Sequence, residues 1–195
     1  SRLFFTLILL SIPLFCLLFL TVITQNRAIR FGEKEMAGVA YNRLLIDLIK
    51  DYRNAIATLS INTAQPNYFE LESTISSIER TEKYLLPLNS EYEDSLDTKE
   101  SFSKLITEQE SFKRNVFARN AIESKKSAIK ILEIVNKLNS SVGDTSNLIL
   151  DPDLDSYYLM DITLIKIPLL MDVSTQTESV LFQIIEENKL SEENQ

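Results

Sequence analysis

The residues best suited to chemistry are concentrated in residues 142–161, VGDTSNLILDPDLDSYYLMD, where acids, amides, hydroxyls and aromatic side chains occur together. A D-x-D-x-D pattern starts there at Asp151 and begins like a calcium-binding loop. Such a loop also needs Gly at its sixth position and Glu at its twelfth, and this chain has Ser156 and Ile162 instead. We therefore predict no metal site in this run.

Catalysis is not expected from these residues either. Paired carboxylates can do acid–base work, but nothing nearby supplies a nucleophile or an electrophile. The chain has no histidine, which excludes Ser–His–Asp and Cys–His nucleophilic sites, the usual zinc ligand sets and a phospho-accepting histidine. The single Cys16 can form no intrachain disulfide. The sequence thus predicts no enzyme and no cofactor within these residues, and a kinase domain would have to follow residue 195.

Two interpretations of the polar residues remain open. In the structural one, they bond backbone groups at a helix junction, as capping residues do. In the functional one, they line a cleft between helices, where bundles usually bind ligands. Arg53 either clamps a carboxylate ligand or is a solvated charge paired with a nearby aspartate. The candidate ligand-binding residues are Arg53, Asp144, Asn147, Asp151, Asp155 and Tyr157.

The apolar start of the chain predicts a membrane anchor. Residues 3–23 carry no charge, and 21 residues of helix span about 30 Å, the thickness of a bilayer's hydrocarbon core. Residues 24–26 make a poor signal-peptide cleavage site, so we favour an uncleaved anchor. We expect an anchor over residues 1–26 and a helical domain over residues 27–195. Because the chain begins at Ser1 rather than Met, we expect it to be a fragment. Residues 189–193 look like the start of a further helix, so we also expect the bundle to be truncated at its C-terminal end.

Composition predicts the fold class. With only 3 Gly and 5 Pro, turn-formers are too few to separate many short strands. We predict an all-α protein in which an N-terminal transmembrane helix continues into an antiparallel bundle of about four long helices. The net charge of −8 disfavours nucleic acid and anionic membrane surfaces as partners.

Caps and breakers predict where the first helices end. The first helix of the bundle is expected over residues 27–63, where Gly38 either admits a neighbouring helix or is a tolerated surface glycine. A second helix is expected over residues 68–86, capped by Asn67 with Glu70 and closed by Pro87, with an acidic loop over residues 89–96.

The remaining helices are predicted less sharply. Asp97 with Glu100 has the spacing of another cap, and the helix after it can run to residue 142 or split near Arg119 and Asn120. Gly143 ends or bends that helix. A last helix is expected from Asp151 to residue 187, kinked at Pro168.

Two runs carry a family resemblance. Residues 29–53, IRFGEKEMAGVAYNRLLIDLIKDYR, and residues 142–161 resemble the N-terminal sensor regions of bacterial transmembrane sensor histidine kinases and methyl-accepting chemotaxis proteins. The first has a Lys-Glu…Gly…Tyr signature at Lys34, Glu35, Gly38 and Tyr41. The second has a D-x-S-x-L-x-L-D-P-D…S-Y-x-L-M-D signature, which starts here at Asp144 and ends at Asp161. A histidine often seen near the position of Tyr52 is absent.

The resemblance implies a signal-input region. It implies a helical domain outside the cytoplasm, anchored in the lipid bilayer of a bacterial inner membrane, forming a homodimer and reading an unknown small-molecule or protein signal. The basic residues that flank the anchor do not by themselves fix this orientation. A competing interpretation is a membrane-anchored structural or adaptor bundle that binds another protein and senses nothing.

Overall fold

The structure, a computed structural model, describes residues 2–61, 65–148, 158, 160–167, 169–171, 173, 174, 177, 180, 181 and 184. Four α-helices follow one another along the chain: α1 (Arg2–Ile61), α2 (Tyr68–Tyr92), α3 (Lys99–Phe117) and α4 (Ala121–Thr145). A π-helical turn, Asp161–Lys166, comes later. The described residues contain no β-strand. The predicted all-α architecture is confirmed.

The first helix is much longer than the other three. Its 60 residues continue without interruption through Pro13 and past residue 26. Its N-terminal part is, by length and composition, long and apolar enough to cross a membrane. Large apolar side chains are exposed there, namely Ile12, Leu14, Phe15, Leu17, Leu18, Phe19, Leu20 and Val22. Such a surface is typical of contact with lipid.

The rest of α1 packs with α2, α3 and α4 in an antiparallel bundle. Short connections join the helices, which places successive helices side by side in opposite directions. At the end of the bundle nearest the apolar segment, the proximal end, Tyr41 of α1 contacts Asn89 of α2. At the opposite, distal end, Tyr68 donates a hydrogen bond to the carbonyl of Arg119, 2.8 Å away.

Apolar side chains at helical spacing form one continuous core. Near its middle the Tyr52 and Phe112 rings meet edge to face, with centroids 5.3 Å apart, an arrangement that adds about 1 kcal/mol beyond burial of area. Burial raises the pKa of the Tyr52 hydroxyl well above its usual value, so it stays neutral. The other largest fully buried side chains are Tyr41, Leu45, Leu48, Ile49, Leu59, Leu71, Ile78, Leu85, Leu96 and Leu105.

An ion-pair cluster joins α2 to α3. The ammonium of Lys113 lies 3.0 Å from Glu82 and 3.7 Å from Glu79, both on α2, and 3.5 Å from Glu110 on its own helix. Burial opposes the charge on Lys113, but the hydrogen bond to Glu82 and the three carboxylates outweigh it, so the pKa of Lys113 is raised. The cation is thus held in place between the two helices.

The second helix starts as predicted and ends later than predicted. Asn67 caps α2, since its side-chain oxygen accepts a hydrogen bond from the backbone N–H of Glu70. Pro87 does not close the helix, which continues to Tyr92. The prediction of a loop over residues 89–96 was therefore wrong for residues 89–92, which are helical. The helix persists past the proline because the next turn is held against the bundle, where Asn89 is buried.

The start of α3 is also different from the prediction. Asp97 is not the cap: its φ is 51°, a left-handed conformation, and Thr98 is the N-terminal boundary residue. The Thr98 side chain makes no capping bond, because its hydroxyl donates to Asn89 instead. The possible split near Arg119 is confirmed. Arg119 has a φ of 53°, and the Asn120 side chain caps α4 through the backbone N–H of Glu123.

Glycine allows α1 and the end of α4 to approach closely. Gly38 is buried, and a Cβ atom added to it would overlap the Ser146 side chain. Of the two interpretations of Gly38, close helix approach is therefore confirmed. Gly143 lies buried within α4, which continues to Thr145. The predicted helix start at Asp151 and the kink at Pro168 fall outside the described residues, although a π-helical turn directly precedes position 168.

The two glycines of α1, which both follow its apolar segment, give a matched test of this contact. Nothing lies within 4 Å of a Cβ added to Gly32, so Gly32→Ala is expected to raise the free energy of unfolding by up to about 1 kcal/mol. Gly38→Ala is expected to lower it by about 1–3 kcal/mol, because overlap with Ser146 outweighs that gain. Urea unfolding of the detergent-solubilised chain measures both. Equal stabilisation by the two substitutions would contradict the close packing of α1 on α4.

Candidate functional site

Of the three predicted ligand-binding residues that the structure describes, Arg53 lies apart from Asp144 and Asn147. Arg53 is buried in the middle of the bundle, at 8% exposure, and so is not the solvated surface charge of one interpretation. Gly38 lies beside Ser146 at the end of α4. It comes fifteen residues before Arg53 on α1, which is a distance of about 22 Å along the helix. Arg53 therefore shares no cleft with Asp144 and Asn147. The other candidates, Asp151, Asp155 and Tyr157, lie outside the described residues.

Asp144 and Asn147 contribute backbone groups to the end of α4. The N–H of Asn147 donates to the Asp144 carbonyl at 3.2 Å, and the N–H of Ser146 donates to the Val142 carbonyl at 2.9 Å. Asn147 has a φ of 65°, a left-handed conformation that Asn adopts more readily than most residues. The Asp144 side chain is exposed. These are bonds between backbone groups, so they do not decide between the two interpretations of the polar side chains; Leu148, which follows them, is buried.

A buried hydrogen-bond network at the proximal end was not predicted from the sequence. The hydroxyls of Tyr41 and Thr98 both donate to the side-chain oxygen of Asn89, each at 2.7 Å. The Asn89 amide nitrogen in turn lies 3.4 Å from a carboxylate oxygen of Glu93. Burial raises the pKa of Tyr41, which keeps its hydroxyl protonated as a donor. The network joins α1, α2 and the start of α3.

A second contact closes the same end of the bundle from the α4 side. The Thr145 hydroxyl lies 3.0 Å from the Leu96 carbonyl, in the connection between α2 and α3, and 2.8 Å from the Ser141 carbonyl of its own helix. Together with the contact of Gly38 on Ser146, it fixes the C-terminal end of α4 against the other helices. All four helices are thus joined where α1 leaves the bundle toward its apolar segment.

The outward face of α1 forms the floor of two adjoining cavities at this end. The larger, of about 1110 Å³, lies between α1 and α2 and is lined by Arg80, Thr81 and Tyr84 on the α2 side. The smaller, of about 380 Å³, lies on the side of Leu148 and Met160. We call the two together the α1 cleft. Four residues are shared by the linings of the two cavities, namely Val39, Arg43, Asp47 and Leu148.

The smaller cavity contains charges and one buried amide. Asp47 and Lys50 form an ion pair of 3.2 Å on the rim, while Arg43 forms no ion pair with any described residue. Asn42 lines the same cavity at only 2% exposure. Asn42 could not be singled out from the sequence, because its burial depends on the packing of distant parts of the chain.

Comparison with known proteins gives no family or function for this chain. No family model, no curated protein and no solved structure matches the chain.

Proposed function

We propose that the chain is the signal-input region of a bacterial transmembrane receptor, either a sensor histidine kinase or a chemoreceptor. In this proposal α1 anchors the protein in the inner membrane over residues 1–26, and the helical bundle stands outside the cytoplasm. Binding of a small molecule or a partner protein to the bundle favours one packing of its helices over another. The receptor acts as a homodimer, and its output domain follows residue 195.

The observation that carries the proposal is the continuity of α1. One unbroken helix contains both the membrane-length apolar segment and a quarter of the bundle. A helix can transmit translation or rotation along its axis because its backbone hydrogen bonds resist bending. Packed helices, in contrast, can slide past one another by small distances. A change in bundle packing that moves α1 therefore also moves its apolar segment.

The proximal network supports the same route. Tyr41 on α1 is bonded to Asn89 on α2, and Asn89 is bonded to Thr98 at the start of α3. A displacement of α2 or α3 must break these buried hydrogen bonds or carry α1 with it. Leaving a buried hydrogen-bonding group without its partner costs about 1–3 kcal/mol, so movement of α1 together with its neighbours is favoured.

The gene beyond the codon for Gln195 tests the receptor proposal against the adaptor alternative. A receptor requires a second apolar segment of about 20 residues, then a linker and a kinase or chemoreceptor module. Sequencing the gene downstream is expected to show these parts. A stop codon directly after Gln195 would leave no path for a signal into the cytoplasm and would favour a membrane-anchored adaptor.

Two tyrosine substitutions test signal transmission in the complete protein. Tyr41→Phe removes one hydrogen bond at the proximal end, and Tyr68→Phe removes one at the distal end. A lost hydrogen bond of about 0.5–1.5 kcal/mol shifts an equilibrium between two packings by about 2- to 10-fold. At matched expression, Tyr41→Phe is expected to change basal output by that factor, with Tyr68→Phe close to wild type. Equal output from both variants would contradict transmission through the proximal end.

A further inference from the structure

Beyond its apolar segment, α1 still exposes large apolar side chains. From residue 24 to the end of the helix they are Ile29, Phe31, Met36, Val39 and Ile61. Met36 is the most exposed of them, at 69%. Single exposed apolar residues are ordinary on a protein surface, whereas several on one face mark contact with another molecule. Their arrangement around the helix therefore decides what they contact.

Three of the five lie on one face at the spacing of a parallel coiled coil. Ile29 and Met36 are seven residues apart and Val39 follows three residues later, as two a positions and one d position of a heptad do. The d position between Ile29 and Met36 is Gly32, where nothing lies within 4 Å of an added Cβ atom. The same register continues into the apolar segment. We call this face the α1 stripe, and its exposed apolar residues are Phe15, Leu18, Val22, Ile29, Met36 and Val39.

The bundle leaves the stripe open where the stripe passes beside it. Gly32, Met36 and Val39 line the larger cavity of the α1 cleft, which has α2 on one side and Leu148 on the other. Met160, which follows α4 in the chain, lines the smaller cavity and not the larger one. The stripe is thus accessible to a partner molecule between these two walls.

The direction of α1 favours a second copy of this chain as the partner. In the proposed receptor every copy has the same end of α1 in the membrane, so the α1 helices of two copies run parallel. A two-fold axis along the membrane normal then places each stripe position opposite the same position of the other copy. Apolar a and d positions of parallel helices associate in this arrangement. The stripe is therefore complementary to itself.

The polar side chain within the stripe is self-complementary as well. Gln25 occupies the d position between Val22 and Ile29, and it is exposed. In the parallel arrangement it faces Gln25 of the other copy. An amide side chain both donates and accepts hydrogen bonds, so the two Gln25 side chains can bond to each other, as polar side chains between membrane helices do.

Charge and area define the extent of the contact. The next a position is Arg43, which is exposed, and two facing guanidinium groups repel each other, so the contact ends at Val39. From residue 15 to residue 39 the stripe is about 36 Å long and about 10 Å wide. Two copies therefore bury roughly 700 Å² in total, less than the ~1,000 Å² expected of a stable interface between free proteins. Copies that share one membrane meet at a higher effective concentration, which favours the contact between anchored chains.

We propose that two copies of this chain associate in parallel through the α1 stripe, with Met36 of each copy packed beside Gly32 of the other. The contact itself requires only that α1 anchors the chain in a membrane. Its role as the dimer interface that passes a signal rests on the receptor proposal, because the same helix carries the bundle and the apolar segment.

Disulfide cross-linking of the full chain in lipid vesicles tests the contact. Cys16→Ser removes the native cysteine, and a single cysteine is then placed at Met36 or at Phe31. Both positions are exposed, but they lie roughly 140° apart around the helix. Oxidation by copper phenanthroline is expected to give at least about tenfold more linked dimer from Met36→Cys than from Phe31→Cys, because only facing stripe positions come within disulfide reach.

A like charge placed on the stripe is expected to separate the copies. With Ile29→Cys as the reporter, Met36→Lys puts two ammonium groups opposite each other and should lower the yield of linked dimer at least about tenfold. Phe31→Lys is the matched control and should leave the yield unchanged. Both side chains are exposed, so the thermal midpoint measured by circular dichroism should stay the same for both variants.

Three results would overturn the proposal. They are no linked dimer from Met36→Cys, equal yields from Met36→Cys and Phe31→Cys, and an undiminished yield in the presence of Met36→Lys. Cross-linking that passes these tests, combined with unchanged output of the complete protein carrying Met36→Lys, would leave the interface standing and count against the receptor function.

Discussion

The structure depends on one helix serving two environments. The apolar segment of α1 exposes Leu, Ile and Phe side chains and is long enough to cross a membrane, while the C-terminal half of the same helix is buried among α2, α3 and α4. No connection separates the two parts. At about 1.5 Å per residue, α1 is about 90 Å long, so the direction of this one helix sets where the apolar segment lies relative to the bundle.

At the proximal end, the helices are held by hydrogen bonds and a close glycine contact, each of which requires a defined geometry. Away from it, the core is made mainly of apolar side chains, among them the Tyr52–Phe112 ring pair. At the proximal end, Asn89 must meet two hydroxyls at once, and Gly38 must meet Ser146. These contacts have only one good geometry each. They define the register of all four helices at the place where α1 leaves the bundle.

The sequence predicted the elements well because their signals are local. Helical periodicity and the Asn67 cap depend on residues within a few positions, and the structure confirms both. Predictions failed where distant residues decide. Pro87 is a helix breaker by its own chemistry, yet Asn89 two residues later is held by Tyr41, 48 residues away. Thr98 is a second example, since its hydroxyl bonds to Asn89 rather than capping α3.

The candidate site was harder to predict than the fold for the same reason. Polar residues in the run 142–161 stood out by composition, and the two that are described contribute backbone hydrogen bonds. Asn42, within an ordinary helical run, is buried beside a cavity, and its sequence neighbours do not indicate this. Arg53 is buried because α1 turns that face toward the bundle, which the charge alone did not indicate.

The continuity of α1 is the central claim, and a single distance tests it most directly. Cys16, the only cysteine in the chain, is exposed in the apolar segment, and Asn54 is exposed on the same helix within the bundle. Spin labels on Cys16 and on Asn54→Cys, measured by pulsed dipolar spectroscopy in nanodiscs, should give one narrow distance of about 57 Å, the length of 38 helical residues. A much shorter or broad distance distribution would show that α1 bends or breaks between membrane and bundle, and would contradict the account.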